Sequence, residues 1–88
     1  MSKKLTLGDF VDFCIIELKS EGSVLRRCDS AIVSLIMGPG EYAGFVWVDI
    51  YDRLNGFVFR DPYVKEEDLR DVLIKNLSID VRYGVDHD

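Results

Sequence analysis

Histidine is nearly absent from this chain of 88 residues. The single one, His87, stands next to the end in the run Asp86-His87-Asp88. Three adjacent residues in a tail cannot preorganise a closed metal site. Ser-His and Cys-His catalysis would depend on that same terminal residue, so both are set aside. Cysteine is scarce too. Cys14 and Cys28 have no CxxC spacing and no histidine nearby, so buried reduced thiols are expected. No apolar run is long enough to span a bilayer. Lys3 and Lys4 are followed by Gly8, Asp9 and Asp12 instead of an apolar stretch, which argues against a secretory signal, and a cytoplasmic location is expected. Basic excess is also missing. The formal net charge is −5, which argues against direct binding to nucleic acid or to an anionic membrane.

Other signatures are absent as well. Gly38-Pro39-Gly40 lacks the GK[ST] ending of a phosphate loop. Asp49-Ile50-Tyr51-Asp52 does not follow the alternation of a calcium loop. Carboxylate pairs such as Asp49/Asp52 and Glu67/Asp71 arise readily by chance in an acidic chain, and no pocket-forming motif accompanies them. No catalytic residue, cofactor or small-molecule substrate is therefore assigned, and a non-enzymatic role is expected.

The strongest positive signal is Gly44 to Arg60, GFVWVDIYDRLNGFVFR. Val46, Val48 and Ile50 alternate with Phe45, Trp47, Asp49 and Tyr51, the period of a strand. A second strand follows the turn at Arg53-Leu54-Asn55-Gly56. A two-residue Asn-Gly turn would mix carboxylates into the apolar face. A four-residue loop with Gly56 left-handed pairs Asp52 with Phe57, Ile50 with Phe59 and Asp49 with Arg60. That register gathers Val46, Val48, Ile50, Phe57 and Phe59 on one face, and it is preferred. The opposite face holds Phe45, Trp47, Tyr51 and Val58. It is too apolar for full solvation, so either the N-terminal helices cover it or it is a contact surface. Coverage is the expectation, because large aromatics are mostly buried.

Thr6-Leu7-Gly8-Asp9 resembles a capping box and opens a first helix. Leu7, Phe10, Val11, Cys14, Ile15 and Leu18 form its stripe, and Gly22 is its C-terminal cap. Ser23 is read as the cap of a second helix carrying Val24, Leu25, Cys28, Ala31, Ile32, Leu35 and Ile36, stopped by Gly38-Pro39-Gly40. Two alternatives stay open. One makes Ile15–Leu18 and Ser23–Arg27 a hairpin; the other pairs Ala31–Met37 as a strand with Phe45–Tyr51. Asp61-Pro62-Tyr63 is expected to end the second strand of the central hairpin. A third helix follows from Lys65 to Asn76, with Leu69, Val72 and Leu73 inward and Glu66–Arg70 and Asp71–Lys75 as i, i+4 pairs. Leu77, Ile79, Val81 and Tyr83 alternate with polar residues as a third strand. The expectation is one α+β domain over residues 1–88. It has a small three-stranded antiparallel sheet and about three helices, in the order α-α-β-β-α-β.

Eleven of the sixteen carboxylates but only six of the eleven basic residues follow the Gly-Pro-Gly break, so the whole net charge belongs to that half. Such a face can steer a basic partner into place. The expected contact residues are Trp47, Tyr51, Glu66, Glu67, Asp68 and Asp71. The leading expectation is an acidic protein-binding accessory protein for a partner with a basic surface. The alternative is a homodimeric structural or regulatory subunit joined through the Trp47/Tyr51 face.

The stretches TLGDFVDFC, VDIYDRLNGFVF and LSIDVRYGVD resemble a loose class of very small proteins from bacteriophages and mobile elements. These typically pair a short N-terminal helix with a small sheet and end in a short strand. The segment from Glu21 to Gly44 departs from that pattern. The resemblance implies an accessory role, of the kind filled by inhibitors of host defence such as anti-CRISPR proteins and nucleic-acid mimics. It implies no particular site residue.

Overall fold

The structure, a computed structural model, describes residues 6–28, 31–54 and 56–84, the stretch 78–84 by its backbone alone. The expectations for Asn55 and for the Asp86-His87-Asp88 tail lie outside these residues. The chain runs through helix α1 (Leu7–Glu21), strands β1 (Ser23–Cys28) and β2 (Ala31–Met37), and a short 3-10 turn (Gly40–Tyr42). Strands β3 (Phe45–Asp52) and β4 (Phe57–Lys65), a second 3-10 turn (Glu66–Asp68) and helix α2 (Leu69–Gly84) follow. The four strands form one antiparallel sheet in the order β1-β2-β3-β4. The α+β class is as expected. The element order is α-β-β-β-β-α, with four strands and two helices.

Helix α1 begins as its sequence requires. The Thr6 hydroxyl accepts a hydrogen bond from the Asp9 amide at 3.0 Å. It ends at Gly22, whose φ of 85° is left-handed, with the Gly22 amide donating to the Leu18 carbonyl at 2.7 Å. The same glycine then feeds the sheet, since its carbonyl accepts from the Met37 amide at 3.0 Å.

The second expected helix is instead the β1–β2 hairpin. Ser23 pairs with Ile36 and Cys28 with Ala31. Burial in β2 alternates: Ala31, Val33 and Leu35 are enclosed while Ile32, Ser34 and Ile36 turn the other way. Over so short a run the apolar residues fit both the helical and the strand period. The β-branched Val24, Ile32, Val33 and Ile36 favour the extended form. Pairing of β2 with β3 follows the alternative reading, with Ala31 opposite Asp52 and Met37 opposite Val46. The other alternative, a hairpin within 15–27, does not occur, because Ile15–Leu18 is helical.

The central hairpin takes the preferred register. Asp52 pairs with Phe57, Ile50 with Phe59 and Asp49 with Arg60. Gly56 is left-handed at φ 67°, and the Asp52 side chain accepts from the Leu54 amide at 3.0 Å, bracing the loop. Strand β4 does not stop at Pro62. It absorbs the proline in a bulge, since Val48 pairs with Asp61 but Val46 with Val64. The Asp61 carboxylate takes the Tyr63 amide at 2.9 Å within that bulge.

Leu77 to Tyr83 is not a strand. Helix α2 continues through it, because Leu69, Leu73 and Leu77 extend one buried stripe at i, i+4 spacing. Asn76 does not stop the helix; its amide donates to the Val72 carbonyl at 2.8 Å. Arg70 reaches across to Asp12 of α1 at 2.8 Å, in place of the expected pairing with Glu66. The core lies between the helices and one sheet face. It is made by Val11, Cys14 and Leu18 of α1, by Val24, Val33, Leu35, Val46, Val48 and Ile50 of the sheet, and by the α2 leucines.

Candidate functional site

Strand alternation decides which side chains the helices leave uncovered. Val46, Val48 and Ile50 face the helices, so Phe45, Trp47, Asp49 and Tyr51 of β3 face away. The same logic turns Leu25 and Arg27 of β1, Ile32, Ser34 and Ile36 of β2, and Val58 and Arg60 of β4 to this side. The expected coverage of Trp47 and Tyr51 by N-terminal helices does not occur. Instead α1 and α2 pack on the opposite face, and Trp47 and Tyr51 remain 46% and 47% exposed.

The face is banded by the pairing register. A polar row, Ser34–Asp49–Arg60, crosses its middle. Asp49 Oδ1 accepts from Arg60 Nε at 2.9 Å and from Trp47 Nε1 at 3.3 Å. The carboxylate therefore fixes the indole and offsets the guanidinium. To one side lies Ile32–Tyr51–Val58, with Arg27 at its margin. To the other lie Ile36 and Trp47, then the aromatic group of Phe45, Tyr42 and Tyr63. The Tyr63 ring centroid is 5.9 Å from that of Tyr42 and 6.3 Å, edge-on, from that of Phe45. Ile36, Gly38, Pro39, Tyr42, Trp47, Pro62 and Tyr63 enclose a groove of about 300 Å³.

Leu25, Ile36, Tyr42, Trp47, Tyr51, Val58 and Tyr63 are each at least 44% exposed on this side of the sheet. So many large apolar side chains left uncovered on one face mark a contact surface. Chemically the face can take apolar and aromatic groups and orient them by the central charge pair.

The acidic residues expected to share this site stand elsewhere. Glu66, Glu67 and Asp68 form the 3-10 turn that leads into α2, and Asp71 lies in the first turn of that helix. Glu66 and Glu67 line a separate cleft with Ile15, Leu18, Lys19 and Leu69, on the helical side of the sheet. The fold thus divides the six expected contact residues between its two layers. Reading β1–β2 as a helix hides Leu25, Ile32 and Ile36. Ending β4 at Pro62 hides Tyr63. The alternation of Ile32, Ser34 and Ile36 with Val33 and Leu35 is the sequence signal that points to them.

Among the described residues no group of three potential metal ligands comes together. No described helix is long and apolar enough to cross a membrane. Cys14 and Cys28 are reduced thiols; Cys14 is buried, as expected, and Cys28 is half-buried. Burial, with Glu17 adding to it, pushes the Cys14 thiol from 9.0 up to about 11. A thiol reagent should therefore label Cys28 before Cys14 in the native protein. The sign for stability follows. Above pH 9.0 an unfolded Cys14 loses its proton while the folded one keeps it. The contribution is complete below that pH and is lost as pH rises toward about 11. Urea midpoints should fall across this window in the wild type, and less steeply in Cys14→Ala. Parallel declines would remove Cys14 as the cause.

Compared with protein-family models, curated proteins and solved structures, the chain matches none.

Proposed function

We propose that this chain is a non-enzymatic binding module that holds a protein partner against the uncovered sheet face, with Trp47 and Tyr51 as anchors. The observation that carries the reading is the banded apolar face, presented on the side away from both helices. Exposed tryptophan and tyrosine are the residue types that most often dominate binding energy. The face differs in charge from the chain as a whole. Asp49 is offset by Arg60 at 2.9 Å, while Arg27 and Lys65 add positive charge at opposite margins. A partner offering an apolar patch rimmed by carboxylates fits this pattern. The acidic residues Glu66, Glu67, Asp68 and Asp71 then serve solubility and the start of α2. Such a module could fill the accessory role that the phage-type resemblance implies.

One observation favours a second reading, a homodimer through the same face. Asp49 and Arg60 are neighbours in one row, so a twofold axis through that row sets each against its opposite in the other copy.

Capture from the native host tests the first reading. A partner should be retained by the wild type and by the triple variant Glu66→Lys, Glu67→Lys, Asp68→Lys. It should be lost, by tenfold or more in affinity, with Trp47→Ala combined with Tyr51→Ala, a change of about 1.4 kcal/mol or greater. Retention by the double variant, or loss with the triple one, would reject the face and restore the acidic surface as the docking element. Light scattering that shows a dimer abolished by the double variant would select the second reading.

A further inference from the structure

The two edges of the sheet are built differently. In β4 the outward positions include Pro62, which has no amide, and Tyr63, whose amide donates to Asp61 Oδ1 at 2.9 Å. Beyond Arg60 that edge is blunted by a bulge and a side-chain lock. Strand β1 has neither. Among the described residues it borders β2 alone.

The direction of its backbone groups can be worked out. Met37 N donates to the Gly22 carbonyl at 3.0 Å, in step with the pairing of Ser23 with Ile36. Hydrogen-bonded pairs alternate in an antiparallel ladder. So Val24, Arg26 and Cys28 turn their amides and carbonyls toward β2, and Ser23, Leu25 and Arg27 turn theirs outward. The strip beside these outward groups carries apolar side chains among polar ones. Leu25 is 73% exposed on one side, and Phe13 and Ile16 of α1 are exposed on the other. Phe13, Ile16 and Leu25 line one open trough along the strand together with Glu17, Ser20, Glu21, Ser23 and Arg26.

We propose that β1 is a self-association edge: two copies join β1 to β1 antiparallel about a twofold axis at Leu25. The charges choose this register. With Leu25 opposite Leu25 of the second copy, Arg27 faces Ser23 and Arg26 faces Val24. Centring the axis on Arg27 would set Arg27 against itself, which is unfavourable. Centring it on Ser23 would shorten the overlap. Arg26 is already neutralised by Glu17 at 2.9 Å, and Arg27 enters the junction against Ser23 instead of against a like charge. The Leu25 register makes about six main-chain hydrogen bonds and brings Phe13 and Ile16 of both helices together across the axis. It also aligns the two open faces on one side of a continuous eight-stranded sheet.

Proline at position 25 is a selective probe. The Leu25 amide points outward, so Leu25→Pro removes a junction bond without removing a bond to β2. Sedimentation of the full chain at high micromolar concentration should show a dimer. Leu25→Pro should raise the dissociation constant at least tenfold with an unchanged circular dichroism spectrum. Leu25→Thr, which keeps the amide, should weaken the dimer less. Trp47→Ala with Tyr51→Ala should leave it intact, which separates this inference from the open-face reading. Amide exchange gives a readout free of substitution: Leu25 and Arg27 should gain protection as wild-type concentration rises. A wild-type monomer throughout would overturn the proposal. So would a dimer indifferent to Leu25→Pro, a dimer lost in the Trp47/Tyr51 variant, or exchange at Leu25 that ignores concentration.

Discussion

Leu35→Asp should leave the chain unfolded, while Ile36→Asp, one residue on, should fold. Leu35 is fully enclosed between Val24 of β1 and Val48 of β3, whereas Ile36 is 49% exposed on the open face. Truncating a buried leucine alone costs about 2–5 kcal/mol. An unpaired carboxylate in the same place adds several more, because its neighbours are valines and no cation stands opposite. The total falls within the roughly 5–15 kcal/mol that holds a small domain together. At position 36 the new carboxylate meets water, and β2 loses only apolar contact with Trp47. Circular dichroism and amide dispersion in NMR spectra read both variants. A helical segment would have placed both residues on its inner stripe. Equal damage from the two substitutions would therefore undo the β1–β2 hairpin and with it the open face.

Gly38→Ala should cost about 3 kcal/mol, the penalty of forcing an atom into a site with no room for it. Gly38 closes β2 by donating to the Phe45 carbonyl at 2.8 Å. The chain then doubles back so tightly that a Cβ at Gly38 would overlap the Tyr42 carbonyl oxygen. It would also stand 2.9 Å from the carbonyl carbon and Cβ of Tyr42. These atoms belong to the 3-10 turn itself and cannot step aside as the end of a flexible side chain does. Relief requires moving the turn, which breaks the 2.9 Å bond from the Tyr42 amide to Pro39 and pulls Tyr42 away from Tyr63. Chemical denaturation should show the loss of stability, and the Trp47 emission should change as its groove reshapes. A Gly38→Ala protein as stable as the wild type would mean that the turn has slack the geometry denies.

Much of this is legible in the residues. The β3–β4 register follows from one requirement, that Val46, Val48, Ile50, Phe57 and Phe59 share a side, and the pairing of Asp49 with Arg60 comes with it. The caps at Thr6 and Gly22 are equally plain, because each answers a local backbone need. What escapes a reading of the sequence is decided by distant contacts. Residues 23–37 satisfy a helical stripe and a strand alternation together, and the need to flank β3, with the β-branched side chains, selects the strand. Residues 77–83 alternate like a strand, yet Leu69 and Leu73 commit Leu77 to the helix that begins upstream. Pro62 reads as a stop because a bulge has no meaning without its partner strand. The site inherits these misreadings. Trp47 and Tyr51 stand out from β3 alone, while Leu25, Ile36 and Tyr63 join them only through the pairing of β1, β2 and the far end of β4. Charge is the least informative guide: a net −5 conceals a sheet face whose margins are basic.

The unlike edges of the sheet set a limit on growth. Each molecule has one border that can accept a neighbour's backbone and one where a proline and a captured amide turn it away. Joining at β1 would leave outermost the borders interrupted at Pro62 and Tyr63, which makes a third copy harder to add than a second.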